Sequence, residues 1–147
     1  MGTFITHYPA GAEEPVWPRS CGGHVLAEPC GRLSEMDIQH AWSRLADDRR
    51  TWHTTDRRLV EVIRPGNVQR NSGPDIDGAL LRIDGLVWAG TVEVHHRSSD
   101  WEAHGHHRDP AYGNVVLHVV LQHDREVHTH TGRVLPTVEL DVPEAPA

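Results

Sequence analysis

The sequence predicts an α/β fold in which a mixed β-sheet is flanked by helices. Three observations indicate it: apolar residues at helical spacing from Ile38, two apolar runs around Asp84-Gly85, and an apolar run over Val115–Leu121. The length of 147 residues suits one domain. Residues 1–33 are rich in Pro and Gly and lack apolar periodicity, so we expect a flexible tail there and the folded domain over residues 34–147.

The first predicted element is a helix over residues 34–47. Ser34 is a favourable N-cap, and Glu35 adds a carboxylate to the first turn, where it opposes the helix dipole. The apolar residues that follow at helical spacing are Ile38, Ala41, Trp42 and Leu45. They predict one buried helix face.

Three strands are expected next. The β-branched run Leu59–Ile63 predicts a strand that ends before Pro65-Gly66. Asp84-Gly85 is a strong hairpin signal, and it predicts two antiparallel strands over residues 79–83 and 86–97.

The last part of the chain is expected to hold two helical segments and a strand. Ser99 and Glu102 have the spacing of a capping box, which predicts a short helix after Ser99, and Asp109-Pro110 predicts a second helical start. The run Val115–Leu121 is apolar on both faces, as is typical of a covered strand. Residues 137–142 are typical of an edge strand or of the start of a truncated element.

The charged residues exclude several enzyme classes. All 14 basic residues are Arg, against 21 acidic residues and 13 His, so the formal net charge is −7. Because the chain has no Lys, it is not a Schiff-base enzyme, a phosphate-loop NTPase or a kinase, which use a lysine amine as nucleophile or phosphate clamp.

The sequence predicts a cytoplasmic protein that does not enter membranes. It has no apolar run long enough to span a membrane, and its N-terminus lacks the layout of a signal peptide. Cys21 and Cys30, with His24 between them, are half of a zinc-site pattern, but no second Cys pair completes it. We therefore expect two reduced thiols. The sequence does not indicate an oligomeric state.

A local basic island covers residues 44–70, which hold seven Arg against four acidic residues. Such a patch is able to contact a phosphate backbone, although an Arg-rich face is also typical of simple solvation. The candidate nucleic-acid-binding residues are Arg49, Arg50, Arg57, Arg58 and Arg70.

Asp75 and Glu93 are the candidate metal ligands. They lie at similar distances from the Asp84-Gly85 turn on the two arms of the predicted hairpin, so their carboxylates are expected to meet. Strand alternation places His95 and Arg97 on the same face as Glu93. Carboxylate oxygens favour Mg²⁺ or Mn²⁺, and such an ion both activates water and neutralises phosphate charge.

The dipeptide Pro74-Asp75 and the pattern Glu93-x-His95 resemble the PD-(D/E)xK phosphodiesterase motif, and the expected fold is a small restriction-endonuclease-like sandwich. The resemblance implies that Asp75, Glu93 and the Val94 carbonyl hold the metal. It implies that His95, in place of the usual Lys, orients or deprotonates water, and that Arg97 stabilises phosphate charge. A first-helix carboxylate, here Glu35, can help to hold the metal in that fold.

A closer resemblance covers most of the chain from Ser34 onward. Its motifs are Pro65-Gly66-Asn67, residues 71–75, Trp88-Ala89-Gly90-Thr91-Val92-Glu93-Val94-His95, residues 98–101, His104-Gly105-His106-His107 and residues 109–120. As a set they are similar to the bacterial domain of unknown function 2851 family. This resemblance implies a PD-(D/E)xK-like fold in which a His follows the Glu, with no established activity. Members are generally longer, which implies a short or truncated representative.

Three functional hypotheses follow. The first is a Mg²⁺-dependent nuclease-like domain that hydrolyses nucleic-acid phosphodiesters. The second is a catalytically silent nucleic-acid-binding or scaffold module of the same fold. The third is a zinc hydrolase that uses His104, His106 and His118, because imidazoles are suitable zinc ligands. Since His118 lies in an apolar strand, we expect it to be buried and bonded to a carbonyl or carboxylate, with a place at the site as the alternative.

Overall fold

The computed structural model describes residues 33–70 and 72–141. The tail predicted over residues 1–33 lies outside the described residues except for Leu33, and so do Cys21, His24 and Cys30. Among the described residues, no helix combines the length and the apolarity that crossing a membrane requires.

The described part of the chain contains one long helix, seven strands and several short helical segments. In chain order the helices and strands are α1 (Glu35–Asp48), β1 (Thr51–His53), β2 (Leu59–Arg64), β3 (Asn67–Val68), β4 (Ile76–Ile83), β5 (Leu86–Arg97), α2 (Asp100–Ala103), β6 (Val115–Gln122) and β7 (Thr137–Glu139). Two 3₁₀ turns, His106–Arg108 and Pro110–Tyr112, lie between α2 and β6. The predicted helix, hairpin and covered strand are confirmed.

The seven strands form one mixed sheet with the order β1-β2-β4-β5-β6-β7, and β3 pairs with β4. The strands from β1 to β5 pair antiparallel through short turns, whereas β5, β6 and β7 pair parallel. A parallel pair needs a crossover connection, and α2 with the two 3₁₀ turns provides it between β5 and β6.

The sheet curls until its two edges approach each other. The N–H of Thr55, just after β1, donates to the carbonyl of Thr137 in β7 at 2.8 Å. This contact makes the sheet nearly closed and barrel-like. The helices and the mixed sheet confirm the predicted α/β fold class. The right-handed twist of adjacent strands accumulates across the sheet and allows this closure. The mixed sheet is flanked by one long helix, α1, and the finer expectation of a restriction-endonuclease-like sandwich stays a prediction.

Helix α1 begins at a complete capping box. The Ser34 hydroxyl accepts from the Asp37 N–H at 3.1 Å, and the Asp37 carboxylate accepts from the Ser34 N–H at 2.9 Å. The buried face carries Ile38, Trp42 and Leu45, which pack into the main core. Helix α1 thereby covers one face of the sheet.

The two faces of β5 differ in chemistry. Val92 and Val94 belong to the main core beneath α1. Glu93 and His95 alternate with them and are also buried, at 4% and 1% exposure. A second apolar cluster, built from Trp101, Val115, Val127 and Leu135, lies in the region of α2 and the loops around β6. The polar face of β5 is therefore enclosed by protein.

The capping box predicted at Ser99 is wrong. Ser99 has helical backbone angles and makes no side-chain cap to α2; its hydroxyl instead donates to Asp124 at 2.6 Å. Ser98 donates to the same carboxylate at 2.8 Å, and its oxygen accepts from the Asp124 N–H at 3.0 Å. These contacts join the end of β5 to the loop after β6.

Candidate functional site

Asp75 and Glu93 meet at the open end of the β4–β5 hairpin, as the sequence predicts. The Asp75 N–H donates to Glu93 Oε2 at 3.1 Å, and the Val94 N–H donates to Asp75 Oδ2 at 2.9 Å. The strand register explains the meeting, because Ile76 pairs with Val92 and each carboxylate residue is the next one toward the open end. Each carboxylate is thus held by the backbone of the opposite strand.

The surroundings of Asp75 disfavour its negative charge. Burial, followed by the negative charge of Glu93, raises the pKa of Asp75 to about 7. Glu35 adds a smaller effect in the same direction, and the hydrogen bond from Val94 opposes it. A cation bound at this carboxylate pair would offset the repulsion between the negative charges of Asp75 and Glu93.

A cluster of imidazoles lies beside Glu93. Ring nitrogens of His95, His104 and His106 all lie within 4.8 Å of one another. His95 Nε2 and His104 Nδ1 are 3.1 Å apart. Glu93 Oε1 is 3.3 Å from His106 Nε2 and 3.7 Å from His95 Nε2. The Glu93 carboxylate therefore has one oxygen toward Asp75 and the other toward the histidines.

His118 lies behind His95, away from His104. In the parallel pairing of β5 and β6, His118 is the partner of Glu93, which places it on the same face of the sheet. Its Nε2 lies 2.8 Å from His95 Nδ1, and the residue is fully buried. The burial of His118 is confirmed, but its expected carbonyl or carboxylate partner is wrong, because the partner is another imidazole.

His95 and His118 are both neutral at physiological pH. Burial, followed by the proximity of His118, lowers the pKa of His95 to about 2. Burial and His106 lower the pKa of His118 to about 3. A neutral imidazole carries one N–H and one lone pair, so His95 presents a single donor to its two imidazole neighbours.

The connection between β5 and β6 brings His104 and His106 to the cluster. Gly105, which lies between them, has a φ of +76°, a left-handed conformation that glycine adopts without strain. Beyond it, the Tyr112 ring stacks on His106 with centroids 3.7 Å apart and an interplanar angle of 24°. The Trp101 ring meets His106 edge-on at 5.3 Å. These aromatic contacts fix the orientation of the His106 ring.

Arg97 does not join the cluster. It lies exposed at the end of β5, where its backbone N–H donates to Asp100, and its guanidinium makes no hydrogen bond or ion pair within the described residues. Glu35 lies at the start of α1, where its carboxylate is within 4.8 Å of ligand atoms of His96 and Asp100. Its charge still reaches Asp75.

Several candidate nucleic-acid-binding arginines make contacts within the protein. Arg49 donates to the Thr51 carbonyl and lies over the Trp52 ring. Arg50 pairs with Asp47 and donates to the carbonyls of residues 62 and 63, and Arg58 pairs with Asp56. Arg57 and Arg70 are exposed. These contacts reduce the number of guanidinium groups available to a phosphate backbone.

The zinc hypothesis groups His104 and His106 with His118, whereas the structure groups them with His95. His104 and His106 converge with His95, whereas His118 is outside this group of three and lies at the far nitrogen of His95, Nδ1. The sequence does contain a signal for His95, because strand alternation places it on the same face of β5 as Glu93. The convergence itself depends on the turn at Gly105, which residue spacing does not reveal.

The chain was compared with known proteins. No curated protein and no solved structure matches it. A family described as "Protein of unknown function (DUF2851)" matches residues 35–145, the same stretch that carries the hairpin, the carboxylate pair and the histidines. Because this match covers most of the chain, the protein belongs to the DUF2851 family.

Proposed function

We propose that this protein is a metal-dependent phosphodiesterase that acts on nucleic acids, with Mg²⁺ or Mn²⁺ as its ion. The observation that carries the proposal is the carboxylate pair, in which the Asp75 N–H bonds to Glu93 and the Val94 N–H bonds to Asp75. Both groups are locked by backbone contacts, so their positions do not depend on a bound ligand. Such preorganisation is what a catalytic metal site requires.

The donor atoms fit a hard divalent cation. Carboxylate and carbonyl oxygens are the ligands that Mg²⁺ and Mn²⁺ prefer. Asp75 and Glu93 would supply carboxylate oxygens, and the Val94 carbonyl, expected on the strand edge toward which its N–H points, would supply a third oxygen. When bound, such an ion neutralises phosphate charge and lowers the pKa of a water molecule.

The neighbouring residues would orient the reactants. The pKa of His95 is strongly lowered, which makes its neutral imidazole a weak proton acceptor, so we do not assign it the deprotonation of water. Both of its ring nitrogens contact other imidazoles, and it would orient water only where Nε2 is released from His104 and holds no metal. Arg97, exposed at the end of the same strand, would contact a phosphate of the substrate. Glu35, whose charge already affects Asp75, would stabilise the cation from the start of α1.

The chain order supports a nuclease-like assignment. A helix precedes the antiparallel strands, Asp75 precedes one arm of the hairpin, and Glu93 and His95 lie on the other arm. A helical crossover and a parallel strand follow. This is the placement expected from the PD-(D/E)xK resemblance, and it supports phosphodiesters as the substrate class.

Cleavage assays on the full chain test the proposal. Metal-stripped protein is incubated with single-stranded, duplex and branched DNA and with RNA, in Mg²⁺, Mn²⁺ or EDTA. We expect metal-dependent cleavage that falls at least a hundredfold in Asp75→Asn and in Glu93→Gln. Asp77→Asn is the matched control, because this exposed residue lies two positions further along the chain, inside β4.

Two outcomes would contradict the proposal. Cleavage that persists in EDTA would exclude a role for the cation. Binding of nucleic acid without cleavage, unchanged in both carboxylate variants, would favour the silent binding or scaffold module instead. Circular dichroism of each variant establishes that a loss of cleavage does not come from unfolding.

A further inference from the structure

Beside the carboxylate pair lies a second set of ligand atoms of different chemistry. We propose that His95, His104 and His106 form a site for a zinc-class transition-metal ion, separate from the cation position at Asp75, with Glu93 between the two. The ring nitrogens of the three residues lie within 4.8 Å of one another. This metal site does not depend on the proposed phosphodiesterase activity.

The distances suit a tetrahedral ion. With Zn–N distances of about 2.0–2.1 Å, two ligands of a tetrahedral zinc ion lie roughly 3.3 Å apart. His95 Nε2 and His104 Nδ1 are 3.1 Å apart, so an ion between them requires only a small adjustment. Three imidazoles leave the fourth coordination position open, an arrangement that is typical of catalytic zinc sites.

The chemistry of the donors distinguishes this site from the carboxylate pair. Imidazole nitrogen is a good ligand for Zn²⁺, Co²⁺, Ni²⁺ and Cu²⁺, whereas Mg²⁺ and Ca²⁺ prefer oxygen. Glu93 Oε1 lies 3.3 Å from His106 Nε2, and Glu93 Oε2 accepts from the Asp75 N–H. One carboxylate is therefore placed to face a hard cation and a zinc-class ion at the same time.

The surroundings of the three histidines favour a built site over a chance cluster. His118 Nε2 lies 2.8 Å from His95 Nδ1, the nitrogen that faces away from His104, and such an outer partner orients a metal-binding imidazole. Tyr112 and Trp101 fix the ring of His106. His95 and His106 are buried, while His104 is exposed and leaves the ion a route from solvent.

Metal titration of the full, untagged chain tests the proposal. Because Cys21, His24 and Cys30 could also bind metal, the titration is repeated in a Cys21→Ser, Cys30→Ser background. We expect one equivalent of Co²⁺ to bind with the visible absorption of a tetrahedral nitrogen site, and one equivalent of Zn²⁺ to displace it. Mg²⁺ in large excess should leave that absorption in place.

Variants locate the ion. His104→Gln should weaken Zn²⁺ binding at least a hundredfold, and because His104 is exposed, this variant is expected to fold. His106→Gln should have an effect of similar size. His40→Gln, which removes an exposed imidazole from α1, is the control and should bind normally. Asp75→Asn should retain the Co²⁺ spectrum even though it removes a ligand of the proposed Mg²⁺ site.

Three results would overturn the proposal: unchanged affinity in His104→Gln, an equal loss in His40→Gln, or loss of the Co²⁺ spectrum in Asp75→Asn. The last result would place the ion at the carboxylate pair. Failure of the phosphodiesterase would instead leave Co²⁺ binding intact while nucleic-acid cleavage is absent, so the two proposals fail in different experiments.

Discussion

His95 Nδ1 lies 2.8 Å from His118 Nε2, a distance at which one of the two rings must donate a proton to the other. The second nitrogen of His118 is buried and has no hydrogen-bond partner among the described residues. An unpaired buried acceptor is less costly than an unpaired buried N–H. In the metal-free protein we therefore expect the proton on His118 Nε2, donated to His95.

The first prediction is that zinc reverses this tautomer. An ion at His95 Nε2 requires a lone pair there, which moves the His95 proton to Nδ1 and makes His118 Nε2 the acceptor. Imidazole ¹⁵N NMR should show the tautomers of both rings change on zinc addition. His40 serves as the internal reference for a ring outside the cluster. A His118 spectrum that does not respond to zinc would contradict the assignment.

The second prediction concerns the stability of the carboxylate pair. Asp75→Asn keeps an acceptor for the Val94 N–H and removes a charge that burial and Glu93 disfavour. In EDTA near pH 8 we expect the variant to be about 1–2 kcal/mol more stable than the wild type, a value already reduced for the partial exposure of Asp75.

Urea denaturation with and without Mg²⁺ measures this effect. Added Mg²⁺ should stabilise the wild type and leave the Asp75→Asn variant unchanged. Asp77→Asn should respond to Mg²⁺ like the wild type, because Asp77 is exposed and, within the described part of the chain, its carboxylate bonds only to the adjacent Gly78 N–H. A less stable Asp75→Asn variant would indicate that the Asp75 charge stabilises the metal-free fold.

The third prediction concerns acid stability at the link between β5 and the loop after β6. Hydrogen bonds, with that from Ser99 first, lower the pKa of Asp124 to about 2 from its ordinary value of 3.8. A lowered carboxyl pKa stabilises the fold above the ordinary value, and this contribution is lost as the pH falls from about 4 to about 2.

Denaturation of Asp124→Asn across this pH range tests the link. The stability difference between the wild type and the variant should be largest above about pH 4 and vanish near pH 2. Asp48→Asn is the control, because Asp48 is exposed and makes no side-chain hydrogen bond within the described residues. A difference that does not change with pH would mean that the Asp124 charge is not involved.

The fourth prediction uses two glycines with similar backbone angles. Gly105 and Gly132 have φ values of +76° and +85°, and a Cβ at either position meets no atom within 4 Å. Replacement of either by Ala should cost about 1–2 kcal/mol through backbone strain alone. Only Gly105→Ala should also weaken zinc binding, because Gly105 sets the relative positions of His104 and His106. Equal zinc affinity in both variants would argue against this role.

Local signals account for what the sequence predicts correctly. Asp84-Gly85 fixes the hairpin, and the hairpin brings Asp75 to Glu93, so this contact requires only local chain geometry. The capping residue and apolar spacing of α1 are likewise local. Strands β1 and β3 are only three and two residues long, too short to show a periodic pattern.

Non-local features account for what the sequence does not predict. The closure at Thr55 and Thr137 joins residues far apart in the chain. Ser99 has a suitable capping pattern, but the carboxylate of Asp124 competes for its hydroxyl. The approach of His104 to His95 depends on a left-handed glycine and on how the crossover packs over the sheet. Neither of these is determined by the spacing of the histidines.

The position of His118 between Leu117 and Val119 has a consequence for how β6 pairs with β5. A shift of the strand by one residue would turn the imidazole into the apolar layer beneath α1 and turn a neighbouring apolar side chain toward Glu93. Burying an unpaired imidazole there would be costly. His118 therefore acts as a register marker, which makes the misaligned strand pairing unfavourable before any ligand is bound.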